Sequence, residues 1–128
     1  MSRYMLLLYR GEGGPQGAAE AAAEMPLWNQ FKESLVEAGL FIAGDPLYEV
    51  DAATTVRVRN DETEIVDGPF AVTKEFLAGY YLLECADLDE ALKQAARVPL
   101  AQYGSVEVRP VMDMGAPATA GEQAAAAT

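Results

Sequence analysis

Histidine is absent from the 128-residue sequence, and no other feature of its composition excludes as much chemistry. Ser-His-Asp and Cys-His nucleophile systems are ruled out within one chain, as is every zinc motif that uses a His ligand. Carboxylate, Lys, Tyr and Arg chemistry is what remains. Cysteine is nearly absent too. Cys85 stands alone, so no intrachain disulfide can form, which fits a reducing compartment. At the close of an apolar strand and with no His to activate it, Cys85 reads as a buried, inert thiol. Basic residues are also few, nine against twenty acidic ones, for a net charge of −11. That sign repels phosphate backbones and anionic membrane surfaces, so neither nucleic acid nor membrane is an expected partner. No apolar run approaches the ~20 residues needed to span a bilayer. Residues 1–9 are too short and too soon interrupted for a signal peptide, and a cytoplasmic address is expected. No metal motif is evident, and no cofactor is expected.

The length suits one domain with one core, expected over residues 1–112. Residues 113–128, rich in Ala and poor in large apolar side chains, cannot bury enough surface to offset the entropy of ordering them and are expected to form a flexible tail. The glycine-rich residues 11–17 lack the Lys-Ser or Lys-Thr of a phosphate-binding loop and read as a flexible connection.

Hydrophobic patterning orders the rest. Residues 4–9 are apolar at consecutive positions, as in a central strand covered on both faces. A helix lies between Ala18 and Ala38, with Leu27, Trp28, Phe31 and Leu35 along one side and Gly39 as its C-terminal cap. Its start is ambiguous, because Pro26 disfavours helical geometry at Met25 outside the first turn. Residues 40–43 form a short strand, and Gly44, Asp45 and Pro46 are expected to turn the chain. Residues 54–59 and 63–66 flank a polar turn and read as a hairpin, with Arg57 and Arg59 beside Glu62 and Glu64 in solvated cross-strand pairs. Residues 79–85 restore a strand. Asp87 and Glu90 resemble a capping box, opening a helix whose stripe is Leu88, Ala91, Leu92, Ala95 and Ala96 and which Pro99 stops. Residues 105–109 alternate as a final strand with one buried face.

This order matches a ferredoxin-like α+β arrangement, in which both helices lie on one face of an antiparallel sheet. The helices leave the other face uncovered. Yet residues 4–9 and 80–83 are apolar on both sides, so a symmetric homodimer is expected to cover it.

Residues 66–84, which contain Asp67, Gly68, Pro69 and Phe70 in sequence, resemble the signature of the DGPF branch of the YCII-related proteins. Residues 4–9, the Trp28 and Phe31 helix and residues 38–44, 54–59 and 104–110 resemble the family's other blocks, so the likeness covers most of residues 3–111. The resemblance implies a dimeric α+β barrel, similar in fold to muconolactone isomerase and the ferredoxin-like monooxygenases. It also implies a regulatory setting, since genes of this branch often neighbour or are fused to those of extracytoplasmic-function sigma factors. The wider family is thought to use a His near the first helix and an Asp before a Pro after the second. Here there is no His and Val98 precedes Pro99, so that pair does not carry over. Val72 also stands where the branch commonly has Glu, and Ala78 where it has Gly.

The expected site gathers Asp67, Thr73, Lys74 and Glu75, with Arg57, Tyr80 or Tyr81, and Arg109 as neighbours, since small-molecule pockets need polar groups converging near apolar strands. Trp28, Phe31, Tyr9 and Tyr103 read as packing residues. Two functions fit: a noncatalytic dimeric module that binds a small molecule or a regulatory protein partner, or a cofactor-free isomerase, lyase or oxygenase. The enzyme would use Asp67 or Glu75 as base, Lys74 or Arg57 to steady an anion, and a Tyr as proton donor.

Overall fold

The computed structural model describes residues 1–114; the expected tail, apart from Asp113 and Met114, lies outside the described residues. The elements in chain order are β1 (Ser2–Arg10), α1 (Gly17–Glu37), β2 (Phe41–Pro46), β3 (Thr54–Arg59), β4 (Glu62–Asp67), β5 (Phe76–Cys85), α2 (Leu88–Ala95) and β6 (Ser105–Pro110). Four strands form one sheet in the order β2-β5-β1-β6, antiparallel at every pairing, while β3 and β4 pair only with each other. With the β3–β4 hairpin set aside as an insertion, the path is βαββαβ, the ferredoxin-like α+β arrangement.

Strand period explains the core. Tyr4, Leu6 and Leu8 of β1 and Tyr81, Leu83 and Cys85 of β5 are buried in one cluster with Phe31 and Leu35 of α1 and Ala91 and Ala95 of α2. Both helices therefore cover the same face. The intervening residues lie on the opposite face, where Met5 is in register with Leu82, and Leu7 with Tyr80. No helix among the described residues covers these four, and all are half-buried. The α2 stripe is buried only in part: Leu88 and Leu92 remain 44% and 48% exposed, because the Ala pair sits at the centre of the contact.

Local signals fix the helix ends. After α1, Gly39 adopts φ +75°, its amide donates to the Val36 carbonyl and that of Leu40 to the Leu35 carbonyl, a complete Schellman closure with Leu40 buried beneath it. At α2, Asp87 accepts from the Glu90 amide at 2.9 Å and Glu90 accepts from the Ala86 amide at 2.7 Å. In the hairpin, Asn60 and Asp61 both take positive φ, the two-residue turn whose twist suits antiparallel strands. Arg57 faces Glu64 and Arg59 faces Glu62 in register.

One open point is resolved and two expectations need correction. Residue Pro26 lies inside α1 and not at its start. It is exposed, so its ring meets no neighbouring element, and the eight residues before it contain five Ala, the strongest helix former. Gly44, Asp45 and Pro46 continue β2 instead of turning the chain. β2 is a sheet edge, where a proline's missing N–H need cost no ladder bond. Lastly, residues 11–17 are tied down. Arg10 donates to the Gly13 and Pro15 carbonyls at 2.9 and 3.1 Å, and the Gln16 side-chain Nε2 to the Glu12 carbonyl at 2.7 Å.

Gly44 is required by packing. A Cβ there would stand 2.5 Å from Tyr81 Cδ1 and 3.1 Å from the Tyr80 carbonyl, and Tyr81 is held by Phe31 and Phe41 edges at 5.3 and 6.5 Å. Gly44→Ala is expected to destabilise the fold by about 1–3 kcal/mol through overpacking, read from the urea midpoint. An unchanged midpoint would show that the Tyr81 ring yields freely.

Candidate functional site

Tyr103 organises the polar end of the molecule. It follows a short 3-10 turn (Pro99–Gln102) and its amide closes that turn on the Leu100 carbonyl. The glycine-rich loop lies directly on its ring. A Cβ at Gly14 would stand 2.3 Å from the ring, and Gly14 has φ +85°, so only glycine suits this position. The Arg10 guanidinium caps the ring at 5.3 Å from its centroid. The Tyr103 hydroxyl donates to Glu24 Oε1 at 2.9 Å, and the Trp28 indole N–H donates to the same oxygen at 2.7 Å. Trp28 in turn stacks on Tyr81, with centroids 6.5 Å apart and planes at 18°. A chain of contacts thus runs from the loop through Tyr103, Glu24 and Trp28 into the core.

Beside Tyr103 opens a cleft of about 640 Å³, lined by Gly11, Glu12, Lys74, Glu75 and Tyr103. The approach to β5 is held firmly there. Gly11 packs on the Lys74 carbonyl, 2.7 Å from where its Cβ would be. Glu75 Oε1 accepts from Ser105 of β6 at 3.0 Å, and the Thr73 hydroxyl donates to the Glu75 carbonyl. The cleft brings an ammonium, two carboxylates and a phenol to one concavity from three chain segments.

Of the residues expected at the site, Lys74 and Glu75 line the cleft and Thr73 braces Glu75 beside it. Asp67 ends β4 opposite Thr54, and Arg57 in β3 donates to the Phe70 carbonyl at 3.2 Å; both belong to the hairpin. Tyr80 lies on the uncovered sheet face and donates to Asp45 Oδ2 at 2.9 Å. Tyr81 is a core residue. Arg109 of β6 is opposite Met5. Glu24, Arg10 and Tyr103 were not singled out by sequence reasoning for function. The spacing of Glu24 and Trp28, one helical turn, was the available local signal; the Tyr103 contact spans 79 residues and has none.

Burial pushes the Tyr103 phenol up to about 12, reinforced by its hydrogen bond to Glu24 and that carboxylate's charge, while Arg10 acts weakly in the other direction. The hydrogen bond to Asp45 raises Tyr80, with desolvation and the Asp45 charge adding to it. Desolvation raises Tyr81. Desolvation also raises the Cys85 thiol, helped by Glu90 and Asp87, which suits an inert buried group.

The strand order, the one-sided helices and the inserted hairpin define a ferredoxin-like α+β domain with a polar cleft at one end of its central strands. The YCII-related domain model matches residues 2–115, and the chain belongs to that family. It is also similar to an uncharacterised protein, R00369, of Rhizobium meliloti (strain 1021), at 49% identity over 78 residues, 59% of this chain. The chain covers 63% of that relative's length. No helix among the described residues is long and apolar enough to cross a membrane.

A raised phenol favours the folded state below its unfolded value of 10.0, and that contribution is lost as pH climbs toward about 12. Tyr103→Phe is therefore expected to remove a tyrosinate transition near 12 and to lose less stability than wild type over that window, measured by urea unfolding at several pH values. Parallel declines would contradict the assignment.

Proposed function

We propose that this protein is a noncatalytic module of the DGPF branch that pairs with a second copy of itself and takes a small organic molecule into the Lys74 cleft. Its setting is regulatory and cytoplasmic, of the kind the branch's sigma-factor association implies. The observation that carries this reading is the cleft itself. About 640 Å³ falls within the range of small-molecule sites, and Lys74, Glu75 and the Tyr103 ring supply a cation, an acceptor and an aromatic wall. Pairing is supported by the half-covered face of Met5, Leu7, Tyr80 and Leu82. The exposed hairpin residues Val56, Val58 and Ile65 add apolar surface suited to a second chain.

The enzyme reading keeps one favourable observation: Glu75, as base, and Lys74, steadying an anion, share the cleft with a phenol. Proton transfer works best when the donor's pKa lies near the working pH. Tyr103 is pushed to about 12 and Tyr80 and Tyr81 are also raised, which weighs against a Tyr donor. Binding without turnover is the reading preferred.

A thermal-shift screen of aromatic acids, lactones and quinones tests it. A ligand at a hundred times its Kd stabilises by about 2.7 kcal/mol, so a hit is expected to raise the melting temperature of wild type and to lose that effect in Lys74→Ala. A shift that survives intact in the variant would remove the cleft from the account.

A further inference from the structure

Tyr103 also lines a second groove, of about 320 Å³, between α1 and the Pro99 turn, and the groove holds two charges of opposite sign. Glu24 spends one oxygen on two donors, Trp28 and Tyr103. That fixes the carboxylate while leaving Oε2 without a hydrogen bond among the described residues. Arg97 is fixed as firmly. It donates to Ser34 Oγ at 2.8 Å and to Gln94 Oε1 at 2.5 Å, and it lies over the Phe31 ring at 5.4 Å. Neither Glu24 nor Arg97 has an ion-pair partner among the described residues. Between them, Leu27 stays 54% exposed and Pro99 adds a second apolar wall.

Helix geometry sets the span. Glu24 and Phe31, the ring beneath Arg97, are seven residues apart on α1, or roughly 10 Å along the axis at 1.5 Å per residue. That rise sets the scale of an occupant at about one ring with a polar group at each end. A para-substituted ring fills that interval, and its faces suit Leu27 and Pro99.

We propose that this groove is a binding site for a small para-hydroxyaryl carboxylic acid. The hydroxyl donates to Glu24 Oε2, the ring lies on Leu27 and Pro99, and the carboxylate accepts from Arg97. The site is separate from the Lys74 cleft and stands whether or not that cleft takes a ligand. An analogue lacking the hydroxyl forfeits its hydrogen bond to the charged Glu24 acceptor and binds more weakly.

Trp28 is the sole tryptophan, so its indole N–H gives one resonance in a nitrogen-15 correlation spectrum, reporting directly on Glu24 Oε1. Titration with 4-hydroxyphenylacetate is expected to shift that resonance saturably at millimolar concentrations or below. Phenylacetate is expected to bind about tenfold more weakly, and Arg97→Gln to weaken both ligands by about tenfold, the loss of one charge-assisted hydrogen bond. The remaining resonances report whether Arg97→Gln keeps its fold, and Leu27→Ser, at an exposed position, is a second variant expected to weaken binding. Lys74→Ala is expected to leave the titration unchanged. An unmoved indole resonance, equal affinity for the two acids, or loss of binding in Lys74→Ala would each overturn the proposal.

Discussion

Strands β1 and β5 are the constraint on which the rest of the molecule depends, because both are apolar on two faces while both helices lie on one. Tyr4, Leu6, Leu8, Leu83 and Cys85 meet α1 and α2 and form the interior. Met5, Leu7, Tyr80 and Leu82 take the other side, and no helix among the described residues reaches them. The hydrophobic effect makes that arrangement costly in water, at about 25 cal/mol for each Å² of apolar surface left exposed. A second copy laid on this face, as proposed above, would relieve that cost with the commonest symmetry of soluble oligomers.

The polar end of the molecule follows from the same scaffold. β1 delivers Arg10 and the glycine-rich loop to one side of Tyr103, β5 starts just after Lys74 and Glu75, and α1 presents Glu24 and Trp28 to the other. Loop glycines let backbone approach the Tyr103 ring closely, and the ring serves as a wall for both the cleft and the groove. Because Tyr103 is bonded to Glu24 and Glu24 to Trp28, the two concavities share a rigid partition anchored in the core.

What could be read from the sequence was what local chemistry decides. The Gly39 closure, the Asp87 and Glu90 cap and the hairpin turn all depend on neighbours within a few residues, and each formed as its side chains require. The alternation of Val106 and Val108 with polar neighbours likewise set which face of β6 packs against the core. Gly44, Asp45 and Pro46 were misread because their tolerance in a strand depends on β2 being an edge, a property of the whole sheet. Pro26 left the start of α1 open, because a strong Ala run can carry a helix through a residue that locally opposes it. At the site, Lys74 and Glu75 were within reach of sequence reasoning as neighbours on one segment. Their meeting with Tyr103, Gly11 and Ser105 depends on how β1, β5 and β6 align, and no spacing in the chain encodes it.

The claim that the open sheet face is covered by a second copy is tested most directly by sedimentation equilibrium at micromolar concentration. The account predicts a dimer for the wild-type chain and a folded monomer for Leu82→Asp, which plants a charge in the middle of the face. A wild-type chain that sediments as a stable monomer would contradict it.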